Sequence, residues 1–180
     1  MIAIPVIVVT LFAAIYYFKQ SRDVVTLPDY GPAPEFILTS QNNSAFDSKV
    51  LLGRPWVAAF MFTRCPDMCP LMTMKMGKLS QQVQSVNFVS FTSDPDFDKP
   101  EVLKEYVDRG VGPKNWTFLT GSMDDLKKIA ATFMMAMGDN PGLHSSKFIL
   151  VDKAGRIRGF YDSQSKEQMM ALPIDARALV

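Results

Sequence analysis

Two cysteines, Cys65 and Cys69, and a single histidine, His144, are the sulfur and imidazole ligands that this 180-residue sequence offers. The cysteines stand in Phe62-Thr63-Arg64-Cys65-Pro66-Asp67-Met68-Cys69-Pro70, just past an apolar run and where a helix is expected to begin. A helix N-terminus supplies unpaired N–H groups and partial positive charge, which favour thiolate over thiol. Four positions apart on a helix, both sulfurs project from one face.

Three chemistries are open to such a pair. A structural disulfide is sterically possible, but closing so short a loop removes only about 2 kcal/mol of unfolded-state entropy. A redox-active dithiol would have Cys65 as the attacking thiol and Cys69 as the resolving one. The usual spacing for that role leaves two residues between the cysteines, and here there are three. A metal clip is the third reading. Two soft thiolates suit Cu(I), zinc or an iron–sulfur cluster. Structural zinc takes four ligands, more Cys and His than this chain holds, whereas Cu(I) is satisfied by two or three. The spacing therefore points to copper. His144 precedes an expected strand and ends a loop containing Gly138, Pro141 and Gly142. Such a loop can carry a side chain across the mouth of a sheet, where a neutral imidazole would complete a three-coordinate site.

The elements that must position these residues follow from pattern. Residues 56–62 form a continuous apolar run, suited to a central strand buried on both faces. Residues 35–39 and 86–91 read as further strands, 66–83 as a helix, and 100–109 as a short helix ended by Gly110. A brief strand at 116–119 leads to a helix capped by Ser122, with Leu126, Ile129, Ala130 and Phe133 on one face. A hairpin over 146–161 turns at 152–155, and a last helix spans 164–172. Strand and helix alternate before the hairpin, so the fold class is α/β, a mixed sheet with helices on both faces.

Upstream, residues 1–18 are apolar apart from Pro5 and Thr10 and carry no charge, which matches one transmembrane helix. Residues 19–34, with Pro28, Gly31, Pro32 and Pro34, read as a linker, leaving 35–180 as the folded domain. Lys19 and Arg22 bias that domain weakly toward the cytoplasm. The net charge is +1, and the absence of a basic stripe excludes a nucleic-acid footprint.

The cysteine segment, then Thr92-Ser93-Asp94-Pro95-Asp96-Phe97-Asp98, then His144-Ser145 followed by Phe148-Ile149-Leu150-Val151-Asp152, together resemble the Sco/SenC family of copper-binding, thioredoxin-fold proteins required for cytochrome c oxidase assembly. The resemblance implies a thioredoxin-like domain in which Cys65, Cys69 and His144 are the metal ligands. It implies copper as the metal, with Cu(I) favoured over Cu(II), and a copper-accepting oxidase subunit as recipient. Thioredoxin-like reductants and other copper chaperones are further partners in this reading, and the membrane is one through the N-terminal helix. The family's topology outweighs the charge bias and favours the bacterial periplasm over the mitochondrial intermembrane space. Two departures stand out: Gly142 and Leu143 where a valine and an acidic residue are common, and Asn42-Asn43 at the first hairpin, a pair able to adopt positive φ.

Other residues take plainer readings. Asp67 is expected to cap the cysteine helix. Asp94, Asp96 and Asp98 are expected to start the next helix, with docking of a basic partner as the functional alternative. Met68, Met72 and Met76, and a second group in another helix, Met134, Met135 and Met137, are expected to be packing residues rather than a copper-loading path. The function expected is metallochaperone. Its rivals are a membrane-anchored thiol–disulfide oxidoreductase using Cys65 and Cys69, and a redox or copper sensor.

Overall fold

The computed structural model describes residues 26–135, 137 and 145–180. The span read at 1–18, the whole 138–143 loop and His144 lie outside the described residues. Among the described residues no helix is long and apolar enough to cross a membrane.

Among the described residues seven strands form one mixed sheet: β1 (Ile37–Ser40), β2 (Ala45–Asp47), β3 (Trp56–Met61), β4 (Asn87–Thr92), β5 (Trp116–Thr120), β6 (Lys147–Val151) and β7 (Ile157–Asp162), in the spatial order β2-β1-β5-β4-β3-β6-β7. β3, β4 and β5 run parallel, and β1 and β6 flank them antiparallel. Parallel neighbours need crossovers. These are α1 (Met68–Gln82) between β3 and β4, and α2 (Pro100–Asp108) between β4 and β5. α3 (Met123–Thr132) follows β5, and α4 (Lys166–Ala178) closes the chain.

β3 explains why an apolar run without alternation is a strand here. All six of its residues are buried. Val57, Ala59 and Met61 enter one core with α1, α2 and α4, while Trp56, Ala58 and Phe60 enter a second with α3. Helices therefore cover both faces, and the strand that leads to the cysteines is fixed from either side.

Local chemistry sets several ends. Ser122 Oγ accepts from the N–H of Asp125 at 3.1 Å and caps α3. Asn43 turns the first hairpin at φ 55°, and Gly110 ends α2 at φ 72°. Two ends differ from the pattern. α4 runs past Pro173 to Ala178, because Ala176 is buried in the core and Asp175 accepts from the Tyr161 hydroxyl at 2.7 Å. α3 stops at Thr132, so Met134 lies beyond it rather than within it. The stretch read as linker is docked where it is described: Tyr30 N–H donates to Ile157, Ile157 N–H to Gly31, and Ala33 N–H to Gly155. The Tyr30 ring also meets Phe160 edge-on at 5.1 Å.

Candidate metal centre

β3 ends at Met61, whose carbonyl accepts from Ser93 N–H at 2.9 Å and so holds the β4–α2 loop beside the strand. Four residues later comes Cys65, and α1 starts at Met68 with Cys69 in its first turn. Pro70 sits where a missing N–H costs nothing, since first-turn N–H groups have no helical acceptor. Neither cysteine is in a disulfide, and both are buried. Cys65 keeps 9% exposure and Cys69 none, so only one of the two residues reaches the surface.

The N–H of Cys69 donates to Cys65 Sγ at 3.3 Å. The sulfur does what a capping oxygen ordinarily does. Asp67, expected to cap, stands at the N-cap position with irregular dihedrals, φ −124° and ψ −63°, and makes no side-chain cap hydrogen bond. The donor it would have served is taken by the thiol two positions earlier. One sulfur is thereby aimed at the residue that carries the other.

Burial overturns one expectation. The Cys69 thiol is pushed well above its usual range, first by desolvation and further by Cys65 and Asp98, while a backbone hydrogen bond from Phe62 works the other way. The helix N-terminus does not outweigh a fully buried position. In the metal-free chain Cys69 is a thiol, and a metal taking that sulfur must displace its proton.

The acidic loop behaves differently from its reading. Asp98 is fully buried, and its carboxylate accepts from Thr63 N–H at 3.2 Å, from the Thr63 hydroxyl, and from the Thr92 hydroxyl at 2.5 Å. Asp94 is 6% exposed and pairs with Arg64. Neither is presented to a partner, and α2 begins after Lys99 with Pro100 in its first turn and no side-chain cap. The two carboxylates bind the cysteine loop to the end of β4. Burial, the largest influence, raises the Asp98 pKa, against the hydrogen bonds from Thr63 and Thr92.

Behind Cys69, Thr73 Oγ1 donates to the Cys69 carbonyl at 2.9 Å and shares a hydrogen bond of 3.1 Å with the Tyr106 hydroxyl. Sequence patterning gave no sign of this shelf, because Tyr106 reaches α1 from another helix. The methionines are mostly packing: Met72 and Met76 are fully buried and Met135 nearly so, while Met134 is exposed.

Two thiols, one aimed at the other's backbone and neither in a disulfide, form a donor pair that fits a soft monovalent ion. Among the described residues no group of three or more His, Cys, Asp or Glu could hold a metal. His144 lies outside them.

The SCO1/SenC family model matches residues 28–178. A SCO1/SenC family lipoprotein from Bacillus anthracis is 34% identical, with a TM-score of 0.75 over 82% of this chain and 94% of that one. BsSco, a member of the Sco family of cytochrome c oxidase assembly proteins in which a disulfide switch was identified, is 27% identical, with a TM-score of 0.73 over 86% of this chain and 95% of that one. Copper-bound yeast Sco1 is 25% identical, with a TM-score of 0.63 over 81% of this chain and 89% of that one.

Proposed function

The chain belongs to the SCO1/SenC family and has its thioredoxin-like fold, and on that premise we propose that it is a copper metallochaperone. Cys65 and Cys69 take one Cu(I) ion as thiolates, with His144 as third ligand, and the recipient is the copper centre of a cytochrome c oxidase subunit. The observation that carries this reading is the cysteine pair at the start of α1, outside any disulfide, with Cys65 Sγ 3.3 Å from the Cys69 amide nitrogen. The copper-bound yeast relative and the oxidase-assembly role of BsSco support the choice of ion and recipient.

Transfer is ligand exchange, with no change in the ion's charge. A partner sulfur replaces the neutral imidazole of His144 before either thiolate lets go, so the cargo never loses its negative ligands. Cys65 is the more exposed of the two and would be released first. We place the domain on the periplasmic side, anchored by residues 1–18.

A second reading is favoured by the unequal burial of the two cysteines. As a thiol–disulfide oxidoreductase, Cys65 would attack a substrate disulfide, and Cys69 would resolve the mixed disulfide. Two electrons would pass to the substrate, leaving a Cys65–Cys69 bond for a thioredoxin-like reductant to break.

Anaerobic titration of the full chain in detergent with Cu(I), with ligands counted by X-ray absorption, separates the two. One equivalent held by two sulfurs and one nitrogen is the expected result, with the nitrogen lost in His144→Ala. Absence of tight Cu(I) binding together with rapid disulfide reduction, undiminished in His144→Ala, would reverse the assignment.

A further inference from the structure

Two residues separate Phe62 from Cys65, and a different aspartate fastens each. Thr63 gives its N–H and hydroxyl to Asp98. Arg64 gives Nε and one terminal nitrogen to the same oxygen of Asp94, at 3.2 and 2.6 Å. The Arg64 guanidinium also lies 4.1 Å from the centre of the Phe97 ring, one face of a half-exposed aromatic. Its side chain is 55% exposed, while that of Asp94 is only 8% exposed. A surface cation thus covers a buried anion, so removing the cation leaves a charge uncompensated in the interior.

Thr63 and Asp98 already close the start of this loop, and no feature of the strand-to-helix turn calls for arginine next. Arg64 is the last anchored residue before the sulfur, one peptide bond from Cys65. We infer that Arg64 is a positioning residue for the cysteine pair: through Asp94 and Phe97 it holds Cys65 where its sulfur meets Cys69. The inference deepens the proposed function and rests on the same two sulfurs. Any chemistry that needs both at once gains from the clasp, because it raises the effective concentration of one at the other. A shared Cu(I) ion and an intramolecular disulfide should therefore weaken together when the clasp is lost.

Arg158 provides a matched control. Its Nε donates to Asp152 at 2.6 Å, again a more exposed cation over a carboxylate only 10% exposed, but at the opposite end of the sheet. In full-length protein, Arg64→Ala is expected to make the Cys65–Cys69 disulfide about tenfold easier to reduce in glutathione buffers, a rise of about 30 mV. It should also release Cu(I) to a competing chelator about tenfold faster. Arg64→Lys keeps the charge without the planar fork and should recover part of both. Arg158→Ala should lower the melting temperature comparably while leaving both readouts within twofold of wild type. Wild-type values in Arg64→Ala, or equal changes in Arg158→Ala, would overturn the inference. The disulfide readout needs no metal, so a wild-type chain that fails to bind Cu(I) would sink the chaperone reading and still leave the role of Arg64 decided. Should Arg64→Ala not fold, Arg64→Lys and Phe97→Ala carry the test, the latter removing the ring on which the guanidinium lies.

Discussion

Asp152 and Asp98 each gather donors at one end of the sheet, yet their surroundings act on them in opposite senses. At the β6–β7 turn, Asp152 Oδ1 accepts from the N–H groups of Ala154 and Arg156, both at 2.9 Å, and Oδ2 from Arg158 Nε. Burial pushes its pKa up, but the Arg156 N–H, the Arg158 guanidinium and the Ala154 N–H together hold the carboxyl below its ordinary range. At the cysteine end, Asp98 also accepts three hydrogen bonds, two of them from hydroxyls, and it is fully buried with Asp94 nearby. There desolvation prevails and the pKa rises. The hairpin end uses a carboxylate that prefers its charge, which serves stability alone. The cysteine end holds one whose charge is costly, and that one carboxylate joins the loop before Cys65 to the end of β4.

Removing each acceptor tests this contrast most directly. Asp98→Ala strands the Thr63 N–H and two hydroxyls around a fully buried position, and should cost about 3 kcal/mol, with faster loss of Cu(I). Thermal unfolding and chelator competition on the same samples check both effects. Asp152→Ala leaves its donors nearer the surface, where water can replace the carboxylate, and should cost about 2 kcal/mol with Cu(I) retention unchanged. A larger loss at Asp152 than at Asp98, or a copper effect from Asp152, would break the division between the two ends.

Acid titration sharpens it. A carboxyl whose folded pKa is depressed contributes stability present above its unfolded pKa, near the ordinary 3.8, and lost as pH falls through the lower folded value. A carboxyl whose folded pKa is raised does the reverse: its contribution is full below 3.8 and is lost as pH rises through the folded value. Unfolding free energies of the metal-free chain between about pH 6 and pH 3 should thus fall less steeply in Asp152→Asn than in wild type, and more steeply in Asp98→Asn. Slopes that change in the same direction would show that the two carboxyls do not differ as their surroundings imply.

What the sequence disclosed and what it hid divide along a similar line. β3 was legible because a short apolar run without alternation suits a strand buried on both faces, and its residues do split between two cores. Ser122 and Asn43 act on their immediate neighbours, so pattern found them. The spacing of Cys65 and Cys69 was legible for the same reason. Asp98 was misread because Thr-Ser-Asp-Pro-Asp-Phe-Asp looks like a polar turn, and nothing local tells that the last carboxylate turns inward to Thr63, 35 positions earlier. Asp67 carries the commonest capping side chain, yet Cys65 Sγ takes the N–H of Cys69. The run of α4 past Pro173 depends on Tyr161 and on the core around Ala176, contacts that no helix-stop rule contains.

The end of α3 offers the smallest and most local probe of the same division. Met134 N–H donates to Ala131 and Met135 N–H to Ala130, at 2.9 and 2.8 Å, which closes the helix with a residue in the left-handed region. That residue is Met134, at φ 55°, where glycine is the usual occupant, so the absence of glycine concealed the helix end. Its side chain is exposed and contributes little burial, whereas a side chain at left-handed φ costs about 1 kcal/mol. The preceding Phe133 ring meets Trp56 at the first residue of β3 and also Phe60 and Phe91 farther along the sheet, so this helix end belongs to the core on the face opposite the one that buries Cys65 and Cys69. Met134→Gly should accordingly raise unfolding free energy by about 1 kcal/mol, and leave both Cu(I) release and the cysteine potential as they are. A stabilised variant with altered cysteine chemistry would mean that the two faces of the sheet communicate through α3, and that the cysteine pair is not set by the Asp98 end alone.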